Sequence, residues 1–246
     1  MTLAASRANP AGGRLSQAGR RDVLAATPLF RLLEAAELEA LTSLVTERHV
    51  RRDALVVRRG DVGSSLLVLV HGRLRAGATS ADGREVTMSL IEPGGVLGEM
   101  ALLDGQPRSL DVVAMADSLL LSVERSAFLP FLRARPKLTL GLMVLLCSRL
   151  RQLNTAFEDL ALLPMPARLA RLLLGLADQH GTPVPNGVRL RIRLSQRDIG
   201  AQVAATRERV NKQLRHWHEA GVLDEQDGHL VLCKPAVLRA LLDAPG

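Results

Sequence analysis

The sequence predicts an α+β chain in three parts: an amino-terminal β jelly roll or small barrel, one long helix, and a carboxy-terminal helix-turn-helix. Three observations predict it. Valine-rich runs of four to six residues punctuated by glycine fill the stretch from about Arg48 to Val123. An apolar repeat at helical spacing follows Pro136, and a basic pair of capped short helices lies between Ser195 and Glu219.

Composition sets the outer limits. With 246 residues, 47% apolar and 23% charged, the chain has the make-up of an ordinary globular protein of one large or two modest domains. The formal net charge of +7 favours a polyanionic partner such as nucleic acid or an anionic membrane. Cys147 and Cys233 are the only cysteines, too few for a disulfide framework, a zinc site or a cysteine-held iron–sulfur cluster, and they fit a reducing cytoplasm. The longest apolar stretches, such as Leu142 to Cys147, fall far short of a bilayer span, so neither membrane insertion nor secretion is expected. The bias of arginine over lysine, with no tyrosine, reads as genomic base composition.

Taken in order, residues 1–21 carry Arg7, Arg14, Arg20 and Arg21 with no acid and little apolar material, and are expected to form a disordered basic tail; a transit peptide has a similar composition. From Asp22 to Val45, Leu29, Phe30, Leu33, Leu38, Leu41 and Leu44 predict one or two short helices leading the first domain. Strands are expected at Ala54–Val57, Ser65–Val70, Leu74–Ala78, Val86–Ile91, Asp111–Ala114 and Ser118–Val123. Gly60, Gly72, Asp82-Gly83, Pro93-Gly94-Gly95 and Asp104-Gly105 supply the turns.

Helical spacing returns after Ser126, and Pro136 suits the first turn of a helix running to about Leu160. Met143, Leu146, Leu150, Leu153, Phe157 and Leu160 recur at coiled-coil spacing, which implies a partner helix or packing on the chain's own barrel, and both can hold along different halves. Pro164 and Pro166 end the helix. Beyond them a helix is expected at Ala167–Ala177, a strand at Gly187–Leu194, then three helical segments and a small hairpin. The expected domains are thus 22–135, 136–163 and 164–246.

The densest charge lies between Arg189 and Arg215, with eight basic and two acidic residues. Ser195 suits the N-cap of a helix through Val203, Ala204-Ala205 a tight turn, and Thr206 the N-cap of a second helix to about Glu219. Arg207, Glu208 and Lys212 near its start have the chemistry of base readout. Arginine or lysine donates to guanine, and a carboxylate accepts from cytosine N4, which fits a G·C-containing half-site. Val203, Val210, Leu214 and Val222 would be its buried face. The alternative is a solvated charged helix.

A second constellation runs from Val96 through Ser109. A glycine that admits a ligand to the backbone, a short helical turn, then an arginine and a hydroxyl make a phosphate cradle, and the Glu99 carboxylate suits a sugar hydroxyl. Taken alone, the stretch reads equally as a surface loop with one ion pair.

These two motifs, in this order with a long helix between them, resemble the CRP/FNR family of bacterial transcription regulators from about Leu29 to Leu242. The resemblance implies a cyclic-nucleotide-binding-type jelly roll, a dimerisation helix and a winged helix-turn-helix. Gly98, Glu99, Met100 and Ala101 with Arg108 and Ser109 look like the family's phosphate-binding cassette. In that cassette the glutamate meets the ribose 2′-hydroxyl, and the arginine and serine meet the cyclic phosphate. Ser195, Gln196, Thr206, Arg207, Glu208, Arg209, Asn211 and Lys212 match the DNA-binding face. The resemblance implies a homodimer through residues 136–160, a palindromic double-stranded DNA operator, cyclic AMP or cyclic GMP as allosteric effector, and RNA polymerase as a candidate further partner. A variant of the same architecture that answers another small molecule, or none, is the alternative.

Departures from the pattern are local. Leu97 precedes the Gly-Glu pair where the family has phenylalanine or isoleucine. Leu153 and Asn154 stand where cyclic-AMP-responsive members have a threonine–serine pair that reads adenine, leaving Asn154 and Thr155 as the nearby hydrogen-bonding groups. Lys212 replaces an arginine, losing its planar fork, and Ala204 replaces the turn glycine. The family's iron–sulfur version is excluded by the cysteines. His71 and Cys147 read as structural or solvated, not as haem ligands. His216 and His218 point to different helix faces, and no nucleotide-binding glycine motif or nucleophile elbow marks an enzyme.

Overall fold

The structure, a computed structural model, describes residues 14–80 and 85–243. It divides into two compact units, one of residues up to Ala78 with Met88–Leu150, the other of Arg151 onward with Thr79–Thr87. The tail before Arg14 and the Asp82-Gly83 turn lie outside the described residues.

The first unit opens with α1 (Gln17–Ala26) and α2 (Ala35–Leu44), then strands β1 (Val45–Val50), β2 (Leu55–Val57), β3 (Ser65–His71), β4 (Leu74–Thr79), β5 (Glu85–Ile91) and β6 (Val96–Leu97). A short helix α3 (Glu99–Asp104), strands β7 (Asp111–Ala114) and β8 (Ser118–Glu124), and helices α4 (Arg125–Arg133) and α5 (Pro136–Leu162) follow. The strands form two four-stranded sheets in the orders β1-β8-β3-β6 and β2-β7-β4-β5. β3 shows why this is a jelly roll. Its alternate residues Leu67 and Leu69 face Val56, Leu74 and Val112 of the other sheet, whereas Leu66 and Val68 face the helices with Phe30, Leu41 and Phe128. A strand buried on both faces reads as one continuous apolar run, and so it does in sequence.

All six expected strands are present within a residue or so of their bounds, and the helix-turn-helix bounds match to within a residue. β1 and β6 were not expected. β1, the end strand of its sheet, carries Glu47, Arg48 and His49, whose charges hide its periodicity, and β6 has only two residues. The helical start at Gln17 corrects the expected disordered tail, which ran to Arg21. Ser16 caps α1 by accepting from Gly19 N at 3.1 Å. A buried carboxylate then fastens it: Glu47 Oε1 accepts from Leu15 N at 3.0 Å and from Arg20 Nε at 2.9 Å. No local pattern encodes that contact.

The long helix α5 has two faces. Leu138 and Leu142 are buried in the barrel-side core with Phe128, Phe131 and Leu29. Met143, Leu150, Leu153, Phe157 and Leu160 on the predicted seam are at least half exposed. Within the first unit, Met143 and Leu150 of the seam are exposed and Leu146 is half-buried.

The second unit contains α6 (Met165–His180), β9 (Gly181–Val184), β10 (Gly187–Leu190), α7 (Gln196–Gln202), α8 (Arg207–Glu219), β11 (Leu223–Gln226), β12 (His229–Leu232) and α9 (Pro235–Asp243). Its sheet runs β11-β12-β10-β9, all antiparallel, and the β11–β12 hairpin turns through Asp227-Gly228 to form a wing. β10 ends at Leu190, short of the expected Leu194, because the chain bends there toward α7. Leu169, Leu173, Ile199, Val210, Trp217 and Leu238 fill the core.

Phe128 is fully buried, meets Phe30 edge-on at a ring-centroid distance of 6.4 Å and stacks against Phe131 at 6.3 Å. Phe128→Ala is expected to cost about 3–5 kcal/mol, read as a fall in the denaturant midpoint at unchanged slope.

Candidate effector site and nucleic-acid interface

The first site is built on the segment between β6 and β7. Gly98 adopts φ +88°, a left-handed turn that lets α3 begin directly after β6. Its missing side chain is also required by packing, since a Cβ there would lie 2.2 Å from Arg108 Nη1 and 2.7 Å from Ser65 O. Ala101 packs inward from α3 and is buried.

Two charged side chains meet in this interior. Glu99 is 1% exposed and Arg108 7%. Arg108 donates from Nη2 to Ser65 O at 2.8 Å and Ser65 Oγ at 3.3 Å, and from Nη1 to Gly98 O at 3.2 Å. Each of these partners is neutral. Burial pushes the Arg108 guanidinium below the ordinary arginine range, the nearby Glu99 carboxylate works against that, Arg48 adds to it and Glu124 opposes it. Glu99 is held from α5: Arg149 Nη1 donates to Glu99 Oε1 while Arg149 Nη2 donates to Val96 O. The second carboxylate oxygen, Oε2, is buried with no hydrogen-bond partner among the described residues. An open buried carboxylate oxygen takes a hydroxyl donor, and a buried guanidinium held by neutral groups takes an anion.

Gly98, Glu99, Ala101 and Arg108 are thus brought together. Met100 and Ser109 are exposed at the rim, with Ser109 Oγ 3.9 Å from Met100 Sδ. Asn154 and Thr155 are exposed on α5. Sequence reasoning missed Arg149 and Ser65. Arg149 lies one residue before the seam position Leu150, where a helical arginine looks like surface, and Ser65 reads only as the first residue of a strand.

The second site is α7 and α8. Ser195 Oγ accepts from Asp198 N at 3.1 Å and Asp198 Oδ2 accepts from Ser195 N at 3.2 Å, a reciprocal cap. Thr206 Oγ1 accepts from Arg209 N at 3.3 Å and opens α8. The turn between them bends at Ala204, φ +50°, a conformation a glycine would adopt more cheaply. Val203, Val210 and Val222 are buried and Leu214 packs against them, as expected from sequence. Arg207, Glu208, Arg209 and Lys212 consequently stand exposed on the opposite side with Thr206 and Ser195, while Gln196 and Asn211 are half-buried. Trp217, buried on α8 at the end opposite these side chains, is the anchor that sequence reasoning did not single out.

Comparison with known proteins agrees with both halves. Residues 47–135 match the cyclic nucleotide-binding domain model and residues 167–241 the Crp-like helix-turn-helix domain model. A CRP-like cAMP-activated global transcriptional regulator of Mycobacterium tuberculosis is 30% identical over 200 residues, 81% of this chain and 89% of that protein. The chain belongs to the CRP/FNR family. It is a transcription regulator and not an enzyme. A cyclic AMP receptor protein of Thermus thermophilus is 29% identical over 87% of this chain and 96% of its own length. In fold, this CRP/FNR chain is similar to FixK2 of Bradyrhizobium japonicum, TM-score 0.71 at 24% identity, covering 82% of this chain and 99% of that one. A CooA mutant of Carboxydothermus hydrogenoformans gives 0.75 at 21% identity, covering 89% and 97%. No helix among the described residues is long and apolar enough to cross a membrane.

Gly98→Ala imposes a left-handed conformation costing about 1–3 kcal/mol and drives a methyl into Arg108. The variant is expected to melt below the parent by differential scanning calorimetry, whereas Gly175→Ala, with open space around its Cβ position, is not.

Proposed function

We propose that this protein is a homodimeric, cytoplasmic regulator whose DNA binding is gated by a cyclic nucleotide, cyclic AMP before cyclic GMP, held in the jelly roll. One observation carries the reading: the open, buried Glu99 Oε2 shares an interior with the Arg108 guanidinium, whose partners are neutral. Glu99 would accept from the ribose 2′-hydroxyl, and Arg108 with Ser109 would meet the cyclic phosphate, with Gly98, Met100 and Ala101 shaping the cradle. The likeness to a cAMP-activated regulator of Mycobacterium tuberculosis and to a cyclic AMP receptor protein of Thermus thermophilus supports cyclic AMP. Leu153, which cannot hydrogen-bond a base, favours a second reading in which another small molecule, or none, is the effector; Asn154 and Thr155 are the groups that would serve adenine.

The exposed seam of Met143, Leu150, Leu153, Phe157 and Leu160 is the proposed dimer face. Two α8 helices related by the dimer axis would then enter successive major grooves of a palindromic operator, roughly 34 Å apart. Arg207, Glu208 and Lys212 would reach base edges, and Ser195, Gln196, Thr206, Arg209 and Asn211 would fix register on the backbone or support those contacts. A nucleotide switches this equilibrium only through its differential affinity for the two states.

Fluorescence anisotropy on a G·C-containing palindrome, at fixed salt, with cyclic AMP, cyclic GMP or neither, tests the gate. Tightening by one nucleotide is the expected outcome, and equal binding in all three favours the second reading. Arg108→Leu, which removes the charged partner of the phosphate, is expected to abolish calorimetric nucleotide binding. Retained tight binding would remove Arg108 from the site.

A further inference from the structure

The bend between α5 and α6 is short and stiff. Leu163 and Pro164 alone separate Leu162, the last residue of α5, from Met165, the first of α6, and Pro166 follows in the first turn. Each proline fixes its own φ and confines the residue before it, so little backbone freedom is left at this point. Two arginines near the start of α6, Arg168 and Arg171, are three apart and share one helix face.

Both close the bend from the side. Arg171 Nη1 pairs with Asp159 Oδ1 of α5, and the Asp159 side chain is only 19% exposed, unlike the solvent-screened pairs that contribute little. Arg168 reaches two carbonyls at once, donating from Nη1 to Leu163 O at 2.8 Å and from Nε to Val203 O at 3.0 Å. Leu163 directly follows α5, and Val203 is the C-cap of α7. The last carbonyls of a helix lack intrahelical donors and carry the negative end of its dipole, so one cation set against two such ends holds both. Val203 immediately precedes Ala204, whose φ of +50° makes the turn into α8. Arg168 therefore ties the end of the long helix to the turn from which α8 departs.

We propose that this elbow is a rigid joint and not a pivot, with Arg168 and Arg171 as positioning residues for DNA reading. The last turns of α5, which carry Leu153, Phe157 and Leu160, then move with α7 and α8 as one body, and the bend contributes no freedom between them. Residues from Arg151 onward indeed form one compact unit with the helix-turn-helix. Pairing of the seam between two copies thereby fixes the separation of the two α8 helices, and with it the half-site spacing that the dimer accepts.

The proposal rests on the reading of α5 as the dimer face and of α8 as the DNA reader, and the test separates them. Hydrogen exchange on the full-length protein reads the elbow without DNA. The amides of Leu163 and Arg168, which donate to Asp159 O and Pro164 O, are expected to be protected. Arg168→Met/Arg171→Met is expected to lose that protection while Val210 and Trp217 keep theirs. Full exchange of the elbow in the parent at the earliest time, or parental protection in the variant, overturns the rigid joint. Its consequence is read by anisotropy at fixed salt, with and without cyclic AMP, on a palindrome selected from a random pool, on the same palindrome with two base pairs inserted between half-sites, and on one half-site. Two rigidly held readers exceed one by roughly 10²–10⁴-fold only where the spacing matches, so the parent is expected to lose most of that gain on the expanded palindrome. The methionine pair is expected to bind one half-site as the parent does, the selected palindrome about 10-fold more weakly, and the expanded palindrome equally well. Asp159→Arg/Arg171→Asp restores the ion pair in reverse and is expected to recover the spacing preference that Arg171→Asp alone loses. A parental spacing preference in the methionine pair overturns the proposal. A parent that sediments as a monomer, or binds no duplex, while showing the expected exchange pattern overturns the reading of α5 or of α8 and supports the elbow.

Discussion

Glu99, Arg108 and Arg149 place two buried charges and one half-buried charge around the start of a six-residue helix, and the rest of the regulator depends on how they are satisfied. Ions removed from water carry a penalty of several kcal/mol each unless they are paired and hydrogen-bonded. Here the pairing is uneven. Glu99 gives one oxygen to Arg149 of α5 and keeps the other, and Arg108 leans on Ser65 and Gly98. The carboxylate suited to a hydroxyl ligand is therefore the same one that fastens the long helix to the barrel, since Arg149 also holds Val96 O of β6. Glu99 and α5 are thus joined through the single residue Arg149.

Within the first unit α5 is anchored at its start. Leu138 and Leu142 bury its first turns with α4, whereas Met143 and Leu150 of the seam are exposed. An amphipathic helix buries one stripe, and this one has two, so the apolar surface left over is the face proposed above for the dimer. The residues of α5 buried in the barrel-side core, Leu138 and Leu142, are thus off the repeat, and Met143 and Leu150 on it are exposed.

Much of this was legible in the sequence, for physical reasons that also explain what was not. Strand β3 announces itself because both its faces are buried, and α7 and α8 because Ser195 and Thr206 are caps whose partners lie three residues away. Local chemistry also singled out Glu99 and Arg108, both of which the fold buries. What escaped is set by tertiary contact. Residues 17–21 look like a continuing basic tail until Glu47, distant in sequence, accepts from Leu15 and Arg20. β1 loses its alternation to charges at the sheet edge, and Arg149 occupies a helix position where arginine is ordinary. Its partner lies 50 residues earlier in the chain, beyond any periodicity argument.

The DNA-binding unit divides its work in a related way. Ala204 takes a left-handed conformation that costs an L-residue roughly 1–2 kcal/mol, and the caps on either side, each worth about 1 kcal/mol, offset it. The strained turn sets the angle at which α8 leaves α7, so that burying Val210 and Trp217 points Arg207, Glu208 and Lys212 outward together. Rigid placement matters most for residues that read base edges, because a hydrogen bond to a base tolerates little misplacement, whereas a phosphate contact is mainly charge. Arg191 and Arg193 lie exposed on irregular chain ahead of Ser195, and Arg207 and Lys212 lie exposed on the capped helix. The caps and the buried face of α8 thus supply the fixed geometry that base readout, as proposed for Arg207, Glu208 and Lys212, requires.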